Sequence, residues 1–282
     1  MKERISKRIV LLSMVAIIMV LLVGCRVEYS ESNKIMTPAW KDDGSILYVK
    51  RYTKYKTTYN TLGEDCEIVA DTFYLMKCDS NGENKEELFP IRGKVLSLNS
   101  SGDWIVVSTI SDTGGMYVMK IDGSGLRLLG AGMYPDLSPD GSKIVYARKG
   151  EGIWIMNRDG SDDHQIVSDT TASYPAWSPD GGRIAYVSNE LKIIDTNGTP
   201  IFNLGSGTSP SWTKSDNNKL IYGIKYPHQH ILIVNLQTME RDTTVLRGYT
   251  VKWSPTGNNV IMRDITWYVI NIDGTNKHYI EP

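Results

Sequence analysis

The chain has 282 residues, of which 31 are Lys or Arg and 32 are Asp or Glu. Hydrophobic residues make up 41% and charged residues 22%, which excludes a disordered chain and indicates a folded protein with a sizeable core. Residues 1–24 hold four basic side chains and one acidic one, so the rest is mildly acidic and disfavours a nucleic-acid partner, which needs a basic surface.

The N-terminal segment is typical of a secretory signal. A basic stretch over residues 1–8 precedes an apolar run from Ile9 to Val23, which is short for a membrane-spanning helix of roughly 20 residues. Residues 22–25, Leu-Val-Gly-Cys, resemble a bacterial lipobox, which implies a signal peptide over 1–24 and acylation of Cys25. We therefore expect a lipidated linker over 25–35 and an extracytoplasmic lipoprotein of the cell membrane or outer membrane. An uncleaved anchor helix is the alternative.

Two further cysteines, Cys66 and Cys78, remain if Cys25 is lipidated. An even number in a compartment that permits disulfides allows a pairing between them. A hairpin that turns near Thr72 would set them opposite each other. Two free thiols are the alternative. Metal binding is not expected, because no His or further Cys accompanies them.

One pattern recurs along the rest of the chain. The clearest copies are Pro-Ala-Trp-Ser-Pro-Asp-Gly at 175–181 and Pro-Asp-Leu-Ser-Pro-Asp-Gly at 135–141. The anchors of six copies are spaced by 58, 39, 40, 35 and 41 residues and are Trp40, Leu98, Leu137, Trp177, Trp212 and Trp253. Each copy contains four short strand-like segments separated by turn residues. The pattern predicts an all-β fold, a six-bladed β-propeller of four-stranded antiparallel blades over 36–282, with an insertion at 51–72.

These copies resemble the WD40-like repeats of the TolB-type six-bladed propeller family. The resemblance covers about residues 36–282 and implies the same fold. It is also similar to the propeller halves of prolyl-oligopeptidase-type enzymes. TolB proper has an α/β domain before its propeller, whereas about ten residues separate Cys25 from the first repeat here. The TolB role in an envelope complex therefore stays an alternative.

Little in the sequence indicates catalysis, and no cofactor is expected. The repeated Asp residues are typical of turns: Asp140, Asp159, Asp180 and Asp273. No Gly-x-Ser-x-Gly motif occurs. His228 and His230 would share a face of an extended segment, but a metal site needs three or four ligands, so a metal at this pair is the weaker alternative.

Loop positions indicate where a ligand would bind. In each blade, the loop that enters the first strand and the loop between the second and third strands share one face. The loops on that face differ in sequence from blade to blade, whereas the Pro-Asp-Gly turns on the other face are similar to one another. Loops on a rigid scaffold often carry binding residues. The candidate ligand residues on the variable face are Tyr52, Tyr55, Tyr59, Tyr134, Arg148, Tyr174, Tyr226, His228, His230 and Tyr249.

The resulting functional hypothesis is a lipid-anchored, non-catalytic binding module with a protein or envelope-polymer partner. One alternative is a metal-dependent propeller lyase that acts on an envelope or extracellular polymer. Another is a TolB-like structural partner in an envelope complex.

Overall fold

The computed structural model describes residues 26–60, 63–91, 93–110, 115–224, 229–248, 250–263 and 266–280. Within these ranges the chain forms 24 β-strands in six four-stranded sheets. The described residues include no helix long and apolar enough to cross a bilayer. Residues 1–25, with the expected signal peptide and Cys25, lie outside the described part.

Each sheet is built from four consecutive strands and forms one blade. Blade 1 consists of β1 (Arg26–Trp40), β2 (Ile46–Asn60), β3 (Gly63–Cys78) and β4 (Glu86–Ile91). Blade 2 consists of β5 (Lys94–Ser101), β6 (Trp104–Ile110), β7 (Met116–Lys120) and β8 (Arg127–Gly130). Blade 3 consists of β9 (Met133–Leu137), β10 (Lys143–Arg148), β11 (Gly152–Asn157) and β12 (His164–Val167).

The second half of the chain repeats this order. Blade 4 consists of β13 (Ser173–Trp177), β14 (Arg183–Ser188), β15 (Glu190–Asp195) and β16 (Pro200–Gly205). Blade 5 consists of β17 (Thr208–Trp212), β18 (Lys219–Gly223), β19 (His230–Asn235) and β20 (Arg241–Arg247). Blade 6 consists of β21 (Val251–Trp253), β22 (Asn259–Arg263), β23 (Trp267–Asn271) and β24 (His278–Tyr279). The six-bladed propeller expected from the repeats is confirmed.

The chain divides into two compact units. The propeller unit contains residues 35–50 and 73–282, and the N-terminal unit contains the described parts of residues 1–34 and 51–72. The expectation of a linker over 25–35 is wrong for its described part, since β1 begins at Arg26. The physical reason is pairing, because β1 lies beside β2 in the first sheet and its backbone groups have strand partners there.

Both faces of a blade are covered, which explains the sequence of the second strands. In β10, the consecutive residues Ile144, Val145, Tyr146 and Ala147 are all buried. A strand that is covered on one face only would alternate apolar and polar residues, whereas a strand buried on both faces is continuously apolar. The core therefore lies between neighbouring blades.

Six apolar clusters join the six blades in a ring. Each anchor residue packs against the preceding blade, as Trp177 does against Val145 and Ile155 of blade 3. The other four clusters between consecutive blades include Leu98, Leu137, Trp212 and Trp253. The sixth cluster joins blade 1 to blade 6 and contains Ile35, Ile46, Tyr48, Met76, Cys78, Ile261, Trp267, Val269 and Ile280. Side chains close the ring, and each of the six described sheets keeps its own four strands.

The turn role of the repeated Asp residues is confirmed. Asp140 accepts hydrogen bonds from the Ser138 hydroxyl at 2.6 Å and the Ser142 amide at 3.0 Å. The Gly141 amide donates to the Ser138 carbonyl at 2.8 Å and closes the turn. Equivalent side-chain bonds hold Asp159, Asp180 and Asp273. These carboxylates are occupied locally, as expected for Asx turns.

The expected hairpin near Thr72 is wrong. Strand β3 runs without a turn from Gly63 to Cys78, so both cysteines lie on one strand rather than on two facing strands. Cys66 is exposed and Cys78 is buried, and the two do not form a disulfide with each other. Because a disulfide needs Cα atoms within about 7 Å of each other, two positions twelve residues apart along a continuous strand do not meet that geometry.

Candidate ligand-binding channel

A channel of about 690 Å³ runs through the propeller unit, and all six inner strands line it. These are the first strands of the blades, which begin at the variable face, here called the entry mouth. They end at the Pro-Asp-Gly turns, here called the turn mouth, where Pro139, Pro179 and Pro255 lie. The volume is within the range of about 300–1,000 Å³ that is usual for small-molecule sites.

Two tyrosines from adjacent blades stack at the entry mouth. The rings of Tyr134 and Tyr174 are 4.1 Å apart between centroids with an interplanar angle of 29°, and the Tyr174 hydroxyl donates to the Tyr134 hydroxyl at 3.2 Å. Burial, with the bond to Tyr174, raises the pKa of Tyr134, so the Tyr134 hydroxyl stays protonated at neutral pH. Tyr174 remains 39% exposed, which leaves part of its ring for an incoming ligand.

The backbone beneath the tyrosine pair is strained. Tyr134 and Tyr174 have φ values of 52° and 54°, and Ser209 at the same position of blade 5 has 50°. Each precedes a proline, which disfavours helical conformations, and a left-handed φ is uncommon for a bulky residue. The register of each inner strand shifts there, as in a β-bulge. Strained residues of this kind cluster at ligand sites, where the surrounding structure holds a side chain in place.

Deeper in the channel, one acid and one base occupy equivalent positions of two blades. Asp136 precedes the anchor of blade 3, and Lys252 precedes the anchor of blade 6. The same position in the other four blades holds small side chains, namely Ala39, Ser97, Ala176 and Ser211. The two inner strands are three steps apart in the ring of six, but the Lys252 side chain reaches from blade 6 to blade 2, which is next to blade 3.

The channel environment shifts the pKa values of both side chains. Burial raises the pKa of Asp136 to about 6, against the opposing effects of the Trp177 amide, which donates at 2.7 Å, and of Lys252 and Lys214. Burial likewise lowers the pKa of Lys252 to about 8, although Asp136 favours its charged form. Lys252 also donates to the Leu98 carbonyl at 3.2 Å. Perturbed groups in a concave site are typical of functional positions.

Two more cations line the channel, one near each end. Lys214 lies at the turn mouth and forms an ion pair with Asp42 of blade 1, whose other oxygen accepts from the Gly102 amide at 2.9 Å. Arg263 lies at the entry mouth, with its guanidinium 5.7 Å from the centroid of the Trp267 ring. The turn mouth is therefore bridged by a charge pair, whereas the entry mouth has exposed aromatic and cationic groups.

Three of the ligand residues expected from the sequence belong to the N-terminal unit: Tyr52, Tyr55 and Tyr59. There the strands are crossed by polar pairs, including Arg51 to Asp71 at 2.7 Å and Lys56 to Glu67 at 2.9 Å. The Tyr59 hydroxyl donates to Glu28 at 3.3 Å. These pairs hold neighbouring strands together, and they account for several of the polar side chains of the insertion.

The other expected residues are dispersed. Arg148 lies over the Trp154 ring at 3.7 Å and pairs with Asp163 within blade 3. His230 is half-buried, with its Nδ1 at 3.3 Å from a guanidinium nitrogen of Arg247. Three of the expected residues, Tyr226, His228 and Tyr249, lie outside the described residues. Among the expected ligand residues that the structure describes, it stacks Tyr134 and Tyr174 at the channel.

The sequence reasoning missed Asp136 and Lys252. A signal was present, because aligning the six repeats shows small residues at four of the six positions before the anchor and a charge at the other two. Within the described ranges, no group of three or more His, Cys, Asp or Glu side chains is arranged to hold a metal ion.

No family model and no curated protein matches the chain. Among solved structures, one described as a putative TolB from Agrobacterium tumefaciens is 15% identical, with a TM-score of 0.56 over 87% of this chain and 98% of the other. An oligogalacturonate lyase from Vibrio parahaemolyticus is 12% identical, with a TM-score of 0.53 over 87% of this chain and 96% of the other. An oligogalacturonate lyase in complex with manganese is 10% identical, with a TM-score of 0.53 over 86% and 90%. At these identities the similarity shows the fold, which is shared by a TolB-like protein and by an enzyme.

Proposed function

We propose that this propeller is a binding module of the cell envelope that takes its ligand into the central channel through the entry mouth. The observation that carries the proposal is the stacked pair of Tyr134 and Tyr174, which two strained residues present at the opening of a cavity lined by all six blades. Tyrosine presents a large, rigid face with a polar tip, which suits a mouth that contacts both ligand and solvent. The partner is a protein segment or an envelope polymer.

A comparison of variants tests this function. The double variant Tyr134→Ala/Tyr174→Ala should recover the crosslinked partner from native membranes about 10-fold less well than the wild type, as expected for loss of two aromatic contacts. Tyr279→Ala is the matched control, because Tyr279 also belongs to a tyrosine pair but lies on the outer strand β24. Circular dichroism melts verify the fold. Equal recovery by the wild type and the double variant would contradict the proposal.

The location is a proposal of its own. The lipobox-like residues 22–25 support acylation of Cys25 and attachment of the propeller to a membrane surface. Two or more acyl chains anchor a protein stably, whereas one does not. Cys25→Ser should therefore block processing or move the protein to the soluble fraction. Unchanged maturation and sedimentation would refute the anchor.

A metal-dependent lyase is the second candidate function. It is supported by the shared fold with two oligogalacturonate lyase structures, one of them with manganese. The residues that would carry it are His228 and His230. Metal analysis of the purified protein, with and without His230→Ala, and an assay of oligogalacturonate cleavage test it directly. Bound metal and cleavage that both disappear in the variant would favour the lyase over the binding module.

A further inference from the structure

The channel lining contains charges of both signs. Blade 6 contributes two cations, Lys252 and Arg263, whereas blade 3 contributes the carboxylate of Asp136. The fourth charged residue of the described lining, Lys214, is engaged by Asp42. Asp136 and the Lys252 ammonium, which contacts blade 2, therefore give the channel one negative and one positive group, and a ligand with separated charges would be oriented by them.

The channel has space around these two charged groups. The side chains at the same level of the other four blades are alanine or serine, as described above. The bond from the Trp177 amide and the bond to the Leu98 carbonyl each use one site on Asp136 and Lys252. A carboxylate has about four acceptor sites and an ammonium group has three donors, so both have capacity for a ligand.

Asp136 and Lys252 are half-buried, and the charge of each offsets only part of the cost of desolvating the other. A buried charge is tolerated when it is paired and hydrogen-bonded. A ligand that brings an ammonium group to Asp136 and a carboxylate to Lys252 would compensate both charges and leave the net charge of the channel unchanged. A simple anion or cation would compensate only one of the two charges.

We propose that the channel binds a small zwitterion in which an ammonium group contacts Asp136 and a carboxylate contacts Lys252. This ligand class deepens the proposed function, since it rests on ligand entry into the channel. The stacked Tyr134 and Tyr174 lie at the entry mouth and would cover the apolar spacer between the two charged groups.

Titration with ω-amino acids of increasing length tests the ligand class. Glycine, 4-aminobutyrate and 6-aminohexanoate are added to the full chain, with hexanoate and hexylamine as probes that carry one charge. Binding is measured by calorimetry and by the fluorescence of the channel tryptophans, among them Trp40, Trp212 and Trp253. At least one zwitterion should bind about 10-fold more tightly than both single-charge probes, because each charge-assisted bond adds affinity.

Conservative variants assign the two contacts. Asp136→Asn keeps an acceptor for the Trp177 amide and should reduce the affinity of the zwitterion to that of hexanoate. Lys252→Met keeps the aliphatic stem and should reduce it to that of hexylamine. Lys219→Met is the matched control, because Lys219 lies outside the channel lining and pairs with Asp216 at 3.7 Å. It should leave all affinities unchanged.

The wild-type titration decides the proposal even if a variant does not fold. Equal affinity for hexanoate and 6-aminohexanoate would show an anion site and would overturn it, as would failure of all three zwitterions to bind. Such a failure is distinguishable from failure of the proposed function. In that case partner recovery would still depend on Tyr134 and Tyr174, whereas loss of that dependence would refute channel binding altogether.

Discussion

The turn mouth and the interior of the channel treat charged residues in opposite ways. At the turn mouth, Asp140 accepts bonds from Ser138 and Ser142, and these bonds lower its pKa to about 2. Inside the channel, burial raises the pKa of Asp136 to about 6. The two residues are four positions apart in one repeat. The comparison teaches that one carboxylate of the repeat, Asp140, stabilises the blade, whereas another, Asp136, lies in the cavity and lowers the stability of the fold.

The largest expected effect tests whether the turns on the same face as the turn mouth are structural, with Gly198 in the turn between β15 and β16. Gly198 has φ +88°, and a Cβ there would lie 2.3 Å from the Ile166 carbonyl oxygen. Gly198→Ala should reduce the free energy of unfolding by about 3–5 kcal/mol, since strain and steric overlap combine. Gly44 has φ +81° but nothing within 4 Å of the added atom, so Gly44→Ala should lose only about 1 kcal/mol. Equal losses in urea denaturation would contradict the predicted steric overlap.

The second prediction concerns Asp136. Its pKa of about 6 in the folded protein exceeds the value of 3.8 expected for an exposed Asp, so the carboxyl group stays protonated to a higher pH in the folded state than in the unfolded state. Stability should therefore fall as pH rises from about 4 to 6 and stay lower above that range. Asp136→Asn should raise the free energy of unfolding by about 2 kcal/mol at pH 7.5 and by much less at pH 4. Urea denaturation at both pH values measures it, and a gain that does not depend on pH would contradict a buried charge.

A third prediction tests the strain beneath the tyrosine pair. Since Tyr134 has a left-handed φ of 52°, Tyr134→Gly should be more stable than Tyr134→Ala by about 1 kcal/mol. Tyr117 in β7 provides the control, because its φ is not left-handed and glycine weakens an ordinary strand. There the order of the two variants should reverse. Thermal melts of the four variants compare the stabilities of Gly and Ala at each site. If Gly were the more stable, or the less stable, at both sites, the strain inferred at Tyr134 would be contradicted.

The smallest expected effect belongs to Asp140. Its lowered pKa means that the ionised carboxylate stabilises the fold above pH 3.8 and that this contribution is lost as pH falls through about 2. Because the side chain is exposed, Asp140→Asn should reduce the free energy of unfolding by less than about 1 kcal/mol at pH 7. Acid titration of stability should show the two proteins converging near pH 2. If Asp140→Asn reduced the free energy of unfolding as much as Gly198→Ala, the small contribution predicted for this exposed carboxylate would be wrong.

The blade architecture could be predicted because each repeat carries its own structural signals. The anchors from Trp40 to Trp253 pack against the preceding blade, and the Pro-Asp-Gly turns have the expected bonds. The N-terminal part of β1 was missed, because residues 26–34 contain charged and polar residues without a repeat pattern. Their strand conformation comes from pairing with β2, which local sequence does not encode.

The candidate site was only half predictable. Tyr134 and Tyr174 could be singled out because they occupy the same place in two adjacent repeats. Asp136 and Lys252 could not be paired in this way, because their relation depends on the ring that brings distant repeats to one channel. Cys66 and Cys78 show the converse, since closeness in sequence and an even count favoured a contact that the straight strand β3 does not allow.

The side-chain closure between blade 1 and blade 6 has a consequence for how the molecule comes apart. Many propellers are stabilised by a sheet that contains strands from both ends of the chain. Here the contact between blade 1 and blade 6 consists of apolar side chains, among them Tyr48, Val269 and Ile280. Within the described strands, blades 1 and 6 share no backbone ladder that would resist tension applied to the chain ends. The propeller should therefore open first between blade 1 and blade 6, before any single sheet loses its strand pairing.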